Sequence, residues 1–174
     1  MKYEIYIEEP KKMQPFYKTA IAEYEKRLGR YCKISCHIVK KEKDWAKYLN
    51  NQTGTQSFLV IPGEARMTSE ILSEQIGEWE KTGEKKILFF IPALQEGQNR
   101  QTGTPVASSN CAGVHTPEDY LTVEDVSIKK IRDRYDLMPL ILSDFVMSPS
   151  MTGMILYEQI YRGYRILHHH PYHK

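Results

Sequence analysis

Histidine and tyrosine side chains crowd the end of the chain, where the sequence reads LHHHPYHK. These residues are His168–His170, Tyr172 and His173, and their rings can bind metals, transfer protons or stack on nucleobases. Three consecutive histidines cannot all face one metal ion, because metal ligands usually come at spaced positions. Tyr161 and Tyr164 add aromatic surface that a solvated tail does not need. A tag, a solvated tail, a metal site and a segment folded back onto a functional site remain as alternatives.

The cysteines indicate no further chemistry. Cys32, Cys36 and Cys111 are an odd number in a sequence without a secretory signal, which argues against a disulfide framework. No second pair completes a zinc site with Cys32 and Cys36, so we interpret them as packing residues. Cys111 has no base near it in the sequence. We predict no metal site.

Composition indicates an ordinary globular protein. The 174 residues are 41% hydrophobic and 26% charged, which suits a single domain spanning residues 1–174. The net charge of +2 is too small to indicate nucleic-acid binding by itself. The N-terminal MKYEIYIEEPKK is charged where a signal peptide needs an apolar run, and no stretch has the length of a membrane span. We therefore expect a cytoplasmic protein without a membrane segment.

The first half of the chain alternates between strand and helix patterns. YEIYIE and KISCHIV alternate apolar residues with a period of two, whereas SFLVIPG and KKILFFIPA are short apolar runs typical of strands buried on both faces. PFYKTAIAEYEKRLG and TSEILSEQIGEWEK have helical spacing, and Thr68 or Ser69 is predicted to cap the second helix. This order predicts an α/β sheet with at least partly parallel strands.

The second half begins with a long segment that lacks periodicity. Residues 95–120 are rich in Gly, Ser, Thr, Asn and Pro, and a loop of that length in a small domain is usually functional or disordered. TVEDVSIKKIRDRY then predicts a helix, and LMPLILSDFVM predicts a further apolar strand. The last helix, SPSMTGMILYEQIYRGYRI, is predicted to begin with Ser148 as its N-cap and Pro149 as its first residue.

The last helix and tail, LYEQIYRGYRILHHHPYHK, resemble the C-terminus of the SPOUT-superfamily pseudouridine methyltransferases of the large ribosomal subunit. That family ends in an EQ-aliphatic-YR stretch followed by PYHK or AYHK. LILSDFVM matches its Leu-Ser segment before the last helix, and AIAEYEKRLGRYCKI is similar to its first helix. GEARMTSEILSEQI lies where the family has a glycine, SSE and a helix. The resemblance covers most of the chain, with a gap at the insertion of about residues 95–120.

The resemblance implies a fold and an activity. Members have an α/β knot with a mostly parallel sheet flanked by helices. Their C-terminal segment forms a trefoil knot, a rare exception to the rule that chains do not thread. They are homodimers in the cytoplasm. They bind S-adenosylmethionine and methylate N3 of a pseudouridine in 23S ribosomal RNA. On this chain the last helix is predicted as the dimer surface, because its apolar residues exceed one stripe. They are Met151, Met154, Ile155, Tyr157 and Tyr164.

The family's functional positions transfer onto this sequence one by one. The resemblance assigns catalysis to Tyr161, Arg162, Tyr172 and His173. It assigns cofactor binding to Leu59, Gly97, Leu142, Ser143, Asp144, Phe145, Val146 and Met147. Arg162 and Arg165 are predicted phosphate contacts.

Four residues depart from the family pattern. Pro92 and Ala93 stand where the family has two glycines of a GGxxG turn, Pro149 replaces a histidine, and Gly153 replaces an arginine. These departures keep a second hypothesis open, namely a catalytically impaired SPOUT-fold homodimer that binds RNA or the ribosome. A third alternative is an unrelated α/β protein whose tail is similar by chance. Binding of S-adenosylmethionine distinguishes the first two.

Overall fold

The structure is a computed structural model, and it describes residues 1–49, 55–64, 66–94 and 126–170. A five-stranded sheet forms its centre, in the order β2-β1-β4-β3-β5, and every neighbouring pair is parallel. The strands are β1 (Lys2–Glu8), β2 (Lys33–Val39), β3 (Gln56–Ile61), β4 (Lys86–Ile91) and β5 (Met138–Ile141). The mostly parallel α/β sheet expected from the sequence is thus confirmed.

Within the described ranges, five helices connect or follow the strands. They are α1 (Pro15–Leu28), α2 (Ala46–Leu49), α3 (Ser69–Thr82), α4 (Val126–Tyr135) and α5 (Pro149–Leu167). A 3-10 turn at Glu42–Trp45 precedes α2. As predicted, Thr68 caps α3 and Ser148 caps α5, each accepting a hydrogen bond from a backbone N–H three residues later. Gly83 ends α3 with φ of 76°, a left-handed conformation that favours glycine.

The two faces of the sheet are covered differently. Helices α1, α3 and α5 lie on the face that carries Tyr3, Ile5 and Ile7, and α5 packs between the other two. The opposite face carries Tyr6 and Leu59, and it is covered by side chains of α2, α4 and their neighbours. Because β-strand side chains alternate between faces, both faces of the central strands are apolar.

Helix α5 belongs to the core along most of its length. Leu156, Tyr157, Ile160 and Tyr164 are completely buried on its sheet-facing side. Tyr164 shares a hydrogen bond of 3.1 Å with the hydroxyl of Tyr3 on β1, and Tyr157 donates one of 2.7 Å to Oε1 of Glu25 on α1. Tyr157 and Tyr164 therefore pack inside the subunit, whereas Met151 is exposed.

The strand predicted over LMPLILSDFVM is shorter than expected, because β5 ends at Ile141. Two residues later the hydroxyl of Ser143 donates to the carbonyl of Phe145 at 2.6 Å and accepts from its N–H at 3.1 Å. Such a local side-chain contact with the backbone competes with strand pairing. The segment 142–147 is consequently a loop between β5 and α5.

Candidate functional site

The carboxyl ends of β3, β4 and β5 meet at one edge of the sheet, where open α/β sheets place their ligands. Two hydrogen bonds join the loop after β3 to the end of β5 and the residues that follow. The N–H of Gly63 donates to the carbonyl of Ser143 at 2.9 Å, and the N–H of Met67 donates to that of Ile141 at 2.8 Å. These contacts position the 142–147 loop.

An apolar pocket lies between these strand ends. The ends of β3 and β4 contribute Val60, Ile61, Pro62, Ile91, Pro92 and Leu94. The segment after β5 contributes Leu142, Ser143, Phe145, Met147 and Thr152. Its water-accessible space is about 20 Å³, which is room for about one water molecule. Phe145 is 61% exposed, so its ring can move without disturbing the core.

A polar cleft adjoins this pocket, and Leu142 lines both. The cleft has about 510 Å³ of water-accessible space. It lies between the loop before α3, the first turn of α3 and the middle of α5. Its polar residues are Glu64, Arg66, Thr68, Ser69, Glu70, Gln159 and Arg162.

Hydrogen bonds and ion pairs fix the floor of the cleft. Ser69 donates to Oε1 of Gln159 at 2.7 Å, which ties α3 to α5. Nε of Arg162 lies 3.2 Å from Oε1 of Glu158, one turn earlier on α5. The Arg162 side chain remains 38% exposed on the cleft. The cleft can therefore offer a guanidinium, an amide and hydroxyl groups to a polar ligand.

The structure brings together most of the residues expected to bind a cofactor. Leu142, Ser143, Phe145 and Met147 line the pocket. Asp144 and Val146 are in the same loop and exposed. Leu59 does not line the pocket; it is completely buried on the opposite face of the sheet, beside Tyr6, Leu88 and Phe90. Gly97 lies outside the described residues.

The residues expected in catalysis are more scattered. Arg162 lines the cleft, but Tyr161 lines neither cavity. Tyr161 is 8% exposed and its ring centroid lies 6.0 Å from that of Tyr24 on α1. The guanidinium carbon of Arg165 lies 6.0 Å from the centroid of Tyr161, also away from the cleft. Tyr172 and His173 lie outside the described residues.

Three of the four residues that depart from the family pattern make contacts that the structure describes. Gly153 is buried against Ile7 of β1 and Ile91 of β4, so the larger side chain of an arginine has no room there. Pro92 is buried in the pocket wall. The next residue, Ala93, donates its N–H to Oε2 of Glu8 at 3.1 Å, which fixes the turn that replaces the paired glycines.

The described cysteines are poor nucleophiles. Burial raises the pKa of the Cys32 thiol to about 12 and that of the Cys36 thiol to about 12. Both are free thiols in the described part of the chain, and Cys111 lies outside it. Within the described ranges no three His, Cys, Asp or Glu residues come together as a metal site would require.

Several site residues were missed at the sequence level. Arg66 and Gln159 line the cleft, and Thr152 lines the pocket, but their motifs carried no recognised signal. Arg66 lies in the loop that follows β3, and the rule that ligands bind beyond the carboxyl ends of parallel strands would have selected this loop.

Comparison with known proteins identifies relatives over most of the chain. The sequence model of a family described as "Predicted SPOUT methyltransferase" matches residues 1–101 and 128–173. A Thermoanaerobacter protein (strain X514) named ribosomal RNA large subunit methyltransferase H 1 is 29% identical over 174 residues, covering 100% of both chains. Proteins named ribosomal RNA large subunit methyltransferase H from Bifidobacterium adolescentis and Clostridium tetani are 30% and 29% identical, with 92% of each chain covered. None of the described helices is long and apolar enough to cross a membrane.

Proposed function

This chain belongs to the SPOUT methyltransferase family, and from that premise we propose that it methylates large-subunit ribosomal RNA with S-adenosylmethionine. The acceptor we propose is N3 of a pseudouridine in 23S RNA, as the resemblance of the C-terminal sequence implies. The observation that carries the proposal is the apolar pocket at the ends of β3, β4 and β5, which adjoins a polar cleft across Leu142. The apolar lining of the pocket is of the kind that holds an adenine ring, and the polar lining of the cleft is of the kind that holds a nucleotide.

The residue types of the pocket fit the cofactor. Val60, Leu142 and Phe145 are apolar walls of the kind that hold an aromatic ring, and the turns after β4 and β5 bring backbone groups to its edge. The water-accessible space of about 20 Å³ is far smaller than such a ligand needs. Binding therefore requires the exposed ring of Phe145 and the 142–147 loop to move outward.

Methyl transfer requires that the acceptor nitrogen is aligned with the methyl group and that this nitrogen loses its proton. S-adenosylmethionine would supply a methyl group on a positively charged sulfur. As the new N–C bond forms, the methyl–sulfur bond would break, the sulfur would leave as a neutral thioether, and the acceptor nitrogen would give its proton to a base. Arg162 and Gln159 would orient the acceptor base or its phosphate from the floor of the cleft. We assign Tyr172 and His173 to stacking on the base and accepting its proton, as the resemblance implies. Tyr161 would position α5 through its packing against Tyr24.

We also propose the knot and the homodimer of the family for this chain. The hydrogen bonds from Gly63 to Ser143 and from Met67 to Ile141 support a close crossing of the segments that follow β3 and β5. Phe16 on α1 and Met151 on α5 are exposed apolar residues on two neighbouring helices. A partner subunit would cover such residues.

A second candidate function is a binding protein that has lost the methyl donor. The observation that favours it is the small volume of the pocket beside Pro92, where glycine would allow closer approach of a ligand. In this case the cleft would bind ribosomal RNA, but the protein would not transfer a methyl group to it.

Isothermal titration calorimetry with S-adenosylmethionine tests the proposal and separates the two candidates. We expect saturable binding with one site per subunit or one per dimer. Incubation with large ribosomal subunits and tritium-labelled cofactor should then label 23S RNA, and nucleoside analysis should identify the methylated base. An absence of heat at millimolar cofactor together with an absence of labelling would leave the binding protein as the function.

A further inference from the structure

Lysines on two loops form a basic surface beside the pocket, and no motif of the sequence analysis accounts for it. The first is the loop of residues 9–14, between β1 and α1, and the second is the connection of residues 40–47 after β2, which includes the 3-10 turn and the first two residues of α2. Together they contain six lysines and three acidic residues, a net charge of +3, whereas the whole chain carries +2. The rest of the chain is therefore slightly acidic. We define the basic surface as Lys11, Lys12, Lys40, Lys41 and Lys43, all of which are exposed.

Hydrogen bonds hold the two loops side by side. The N–H of Glu9 donates to the carbonyl of Val39 at 2.9 Å, which continues the pairing of β1 with β2. The ammonium of Lys40 donates to the carbonyls of Glu9 at 3.1 Å and Lys11 at 3.2 Å. The lysines thus form one surface built on ordered backbone.

The basic surface lies at the same edge of the sheet as the pocket. The carboxylate of Glu8 accepts a hydrogen bond from the N–H of Ala93, which lies between the pocket residues Pro92 and Leu94. The carboxylate of Glu9 accepts one from the hydroxyl of Ser150, on the first turn of α5. Strands β2, β1 and β4 are consecutive in the sheet, so the loop after β2 is about 10 Å from the end of β4.

We infer that the basic surface binds the phosphate backbone of the RNA strand whose base enters the cleft. Lysine ammonium groups bind phosphates as point charges without reading sequence, and such contacts set position and orientation on the nucleic acid. The cleft opens beside the loop after β3, one strand beyond β4, so it lies about 15 Å from the segment after β2. About four or five stacked nucleotides, at about 3.4 Å each, span this distance. This inference rests on the proposed function for the identity of the RNA, but it also applies if the protein only binds RNA.

Two variants with the same change in charge test the inference. The first replaces Lys11, Lys12, Lys41 and Lys43 with glutamine and keeps Lys40, because Lys40 holds the loops together. The control replaces Lys26, Lys33, Lys81 and Lys85 with glutamine. These four are also exposed, and they lie at the opposite edge of the sheet, near the amino ends of the strands. Circular dichroism and calorimetry with S-adenosylmethionine check that fold and cofactor binding are unchanged.

The measurement is the affinity for a fluorescently labelled, single-stranded RNA of mixed sequence as a function of salt. We expect the first variant to bind at least about tenfold more weakly near 0.1 M salt, with the slope of log K against log salt reduced by roughly 3. The control should keep at least most of the wild-type affinity and slope. An equal loss of RNA affinity in both variants, or no loss of RNA affinity in the first variant, would overturn the inference. If the quadruple variant does not fold, the Lys11/Lys12 and Lys41/Lys43 double variants are expected to show about half the change in slope.

The outcomes separate the inference from the proposed function. Suppose that the wild-type protein binds no cofactor and methylates nothing, and that only the first variant loses RNA affinity. This result would refute the proposed function and support the inference. If the first variant methylates large ribosomal subunits at the wild-type rate at every salt concentration, the result would support the proposed function and refute the inference. Binding to phosphatidylglycerol vesicles that depends on these lysines, with RNA binding unchanged, would also overturn the inference.

Discussion

Gly153 of α5 packs so closely on Ile7 of β1 that a Cβ added to the glycine would overlap Cδ1 of Ile7. Ile7 is completely buried, so it has little room to move. We expect Gly153→Ala to lower the free energy of unfolding by about 1–2 kcal/mol, because the overpacking outweighs the gain of up to about 1 kcal/mol from better helix propensity. Urea denaturation followed by circular dichroism measures the change.

Ile7→Val provides the matched background, because it removes the carbon atom that the new Cβ would meet. Ile7→Val alone should cost about 0.5–1.5 kcal/mol. In that background Gly153→Ala should be neutral or stabilising, since only the helix propensity remains. Equal effects of Gly153→Ala in both backgrounds would show that Ile7 does not enforce the glycine.

Glu4 should make stability depend on pH in the acid range. Burial alone would raise its pKa, but hydrogen bonds from Lys2, Lys86 and Tyr6 favour the carboxylate and lower the pKa from 4.5 to about 2. The folded state is therefore stabilised above the unfolded pKa, and this stabilisation is lost as pH falls from about 4.5 to about 2. Glu4→Gln should flatten the stability curve over this window in urea denaturation, whereas Glu23→Gln on the surface should follow the wild type.

Arg162 should be needed for methyl transfer but not for cofactor binding. It lines the cleft, and a lost hydrogen bond to a charged group costs about 1.5–3 kcal/mol. We expect Arg162→Ala to lower kcat/KM for methylation of large ribosomal subunits by roughly 10- to 150-fold, with unchanged affinity for S-adenosylmethionine. Arg27→Ala is the control, because Arg27 also pairs with a glutamate one turn earlier but does not line the cleft. A similar loss in both variants would contradict the role of the cleft.

Pro92 should limit the affinity for the cofactor. Its buried ring forms part of the pocket wall where the water-accessible space is only about 20 Å³. We expect Pro92→Gly to bind S-adenosylmethionine several-fold more tightly, because glycine lets a ligand approach the backbone. Calorimetry measures this affinity, and Pro139→Gly on β5, outside the pocket lining, controls for a general loosening of the chain. Weaker binding by Pro92→Gly would mean that the proline shapes the site.

Sequence patterns predicted helix starts and strand faces correctly where a single capping residue or a regular alternation determines the local structure. Ser148 and Thr68 cap their helices as expected, and the alternation of Tyr3, Ile5 and Ile7 gives a strand with these residues facing the core. The predicted end of β5 was wrong, because an apolar run does not reveal that the Ser143 hydroxyl will form hydrogen bonds with the backbone of Phe145. The 3-10 turn before α2 was not predicted, because three charged residues precede the completely buried Trp45 in it and gave the segment a polar composition.

The candidate site could be predicted only in part. A sequence can identify the loop that contributes to a site, but it does not show which residues of a loop or strand face a cavity. The loop after β5 was selected through its family resemblance, and four of its residues line the pocket. Leu59 was selected by the same route, but it lies inside the sheet beside Leu88 and Phe90, whereas the pocket begins only with the last two residues of β3, Val60 and Ile61. The pairing of α3 with α5 that creates the cleft depends on tertiary contacts such as Ser69 with Gln159.

The hydrogen bond between Tyr3 and Tyr164 joins residues 161 positions apart. During synthesis the nascent chain therefore exposes the helix-covered face of β1 until the residues of α5 have emerged. Contacts that are so distant in sequence slow folding, because the loop entropy must be lost before they form. The nascent protein should depend on chaperones until its last helix has docked, and truncations that remove this helix should aggregate instead of forming a smaller domain.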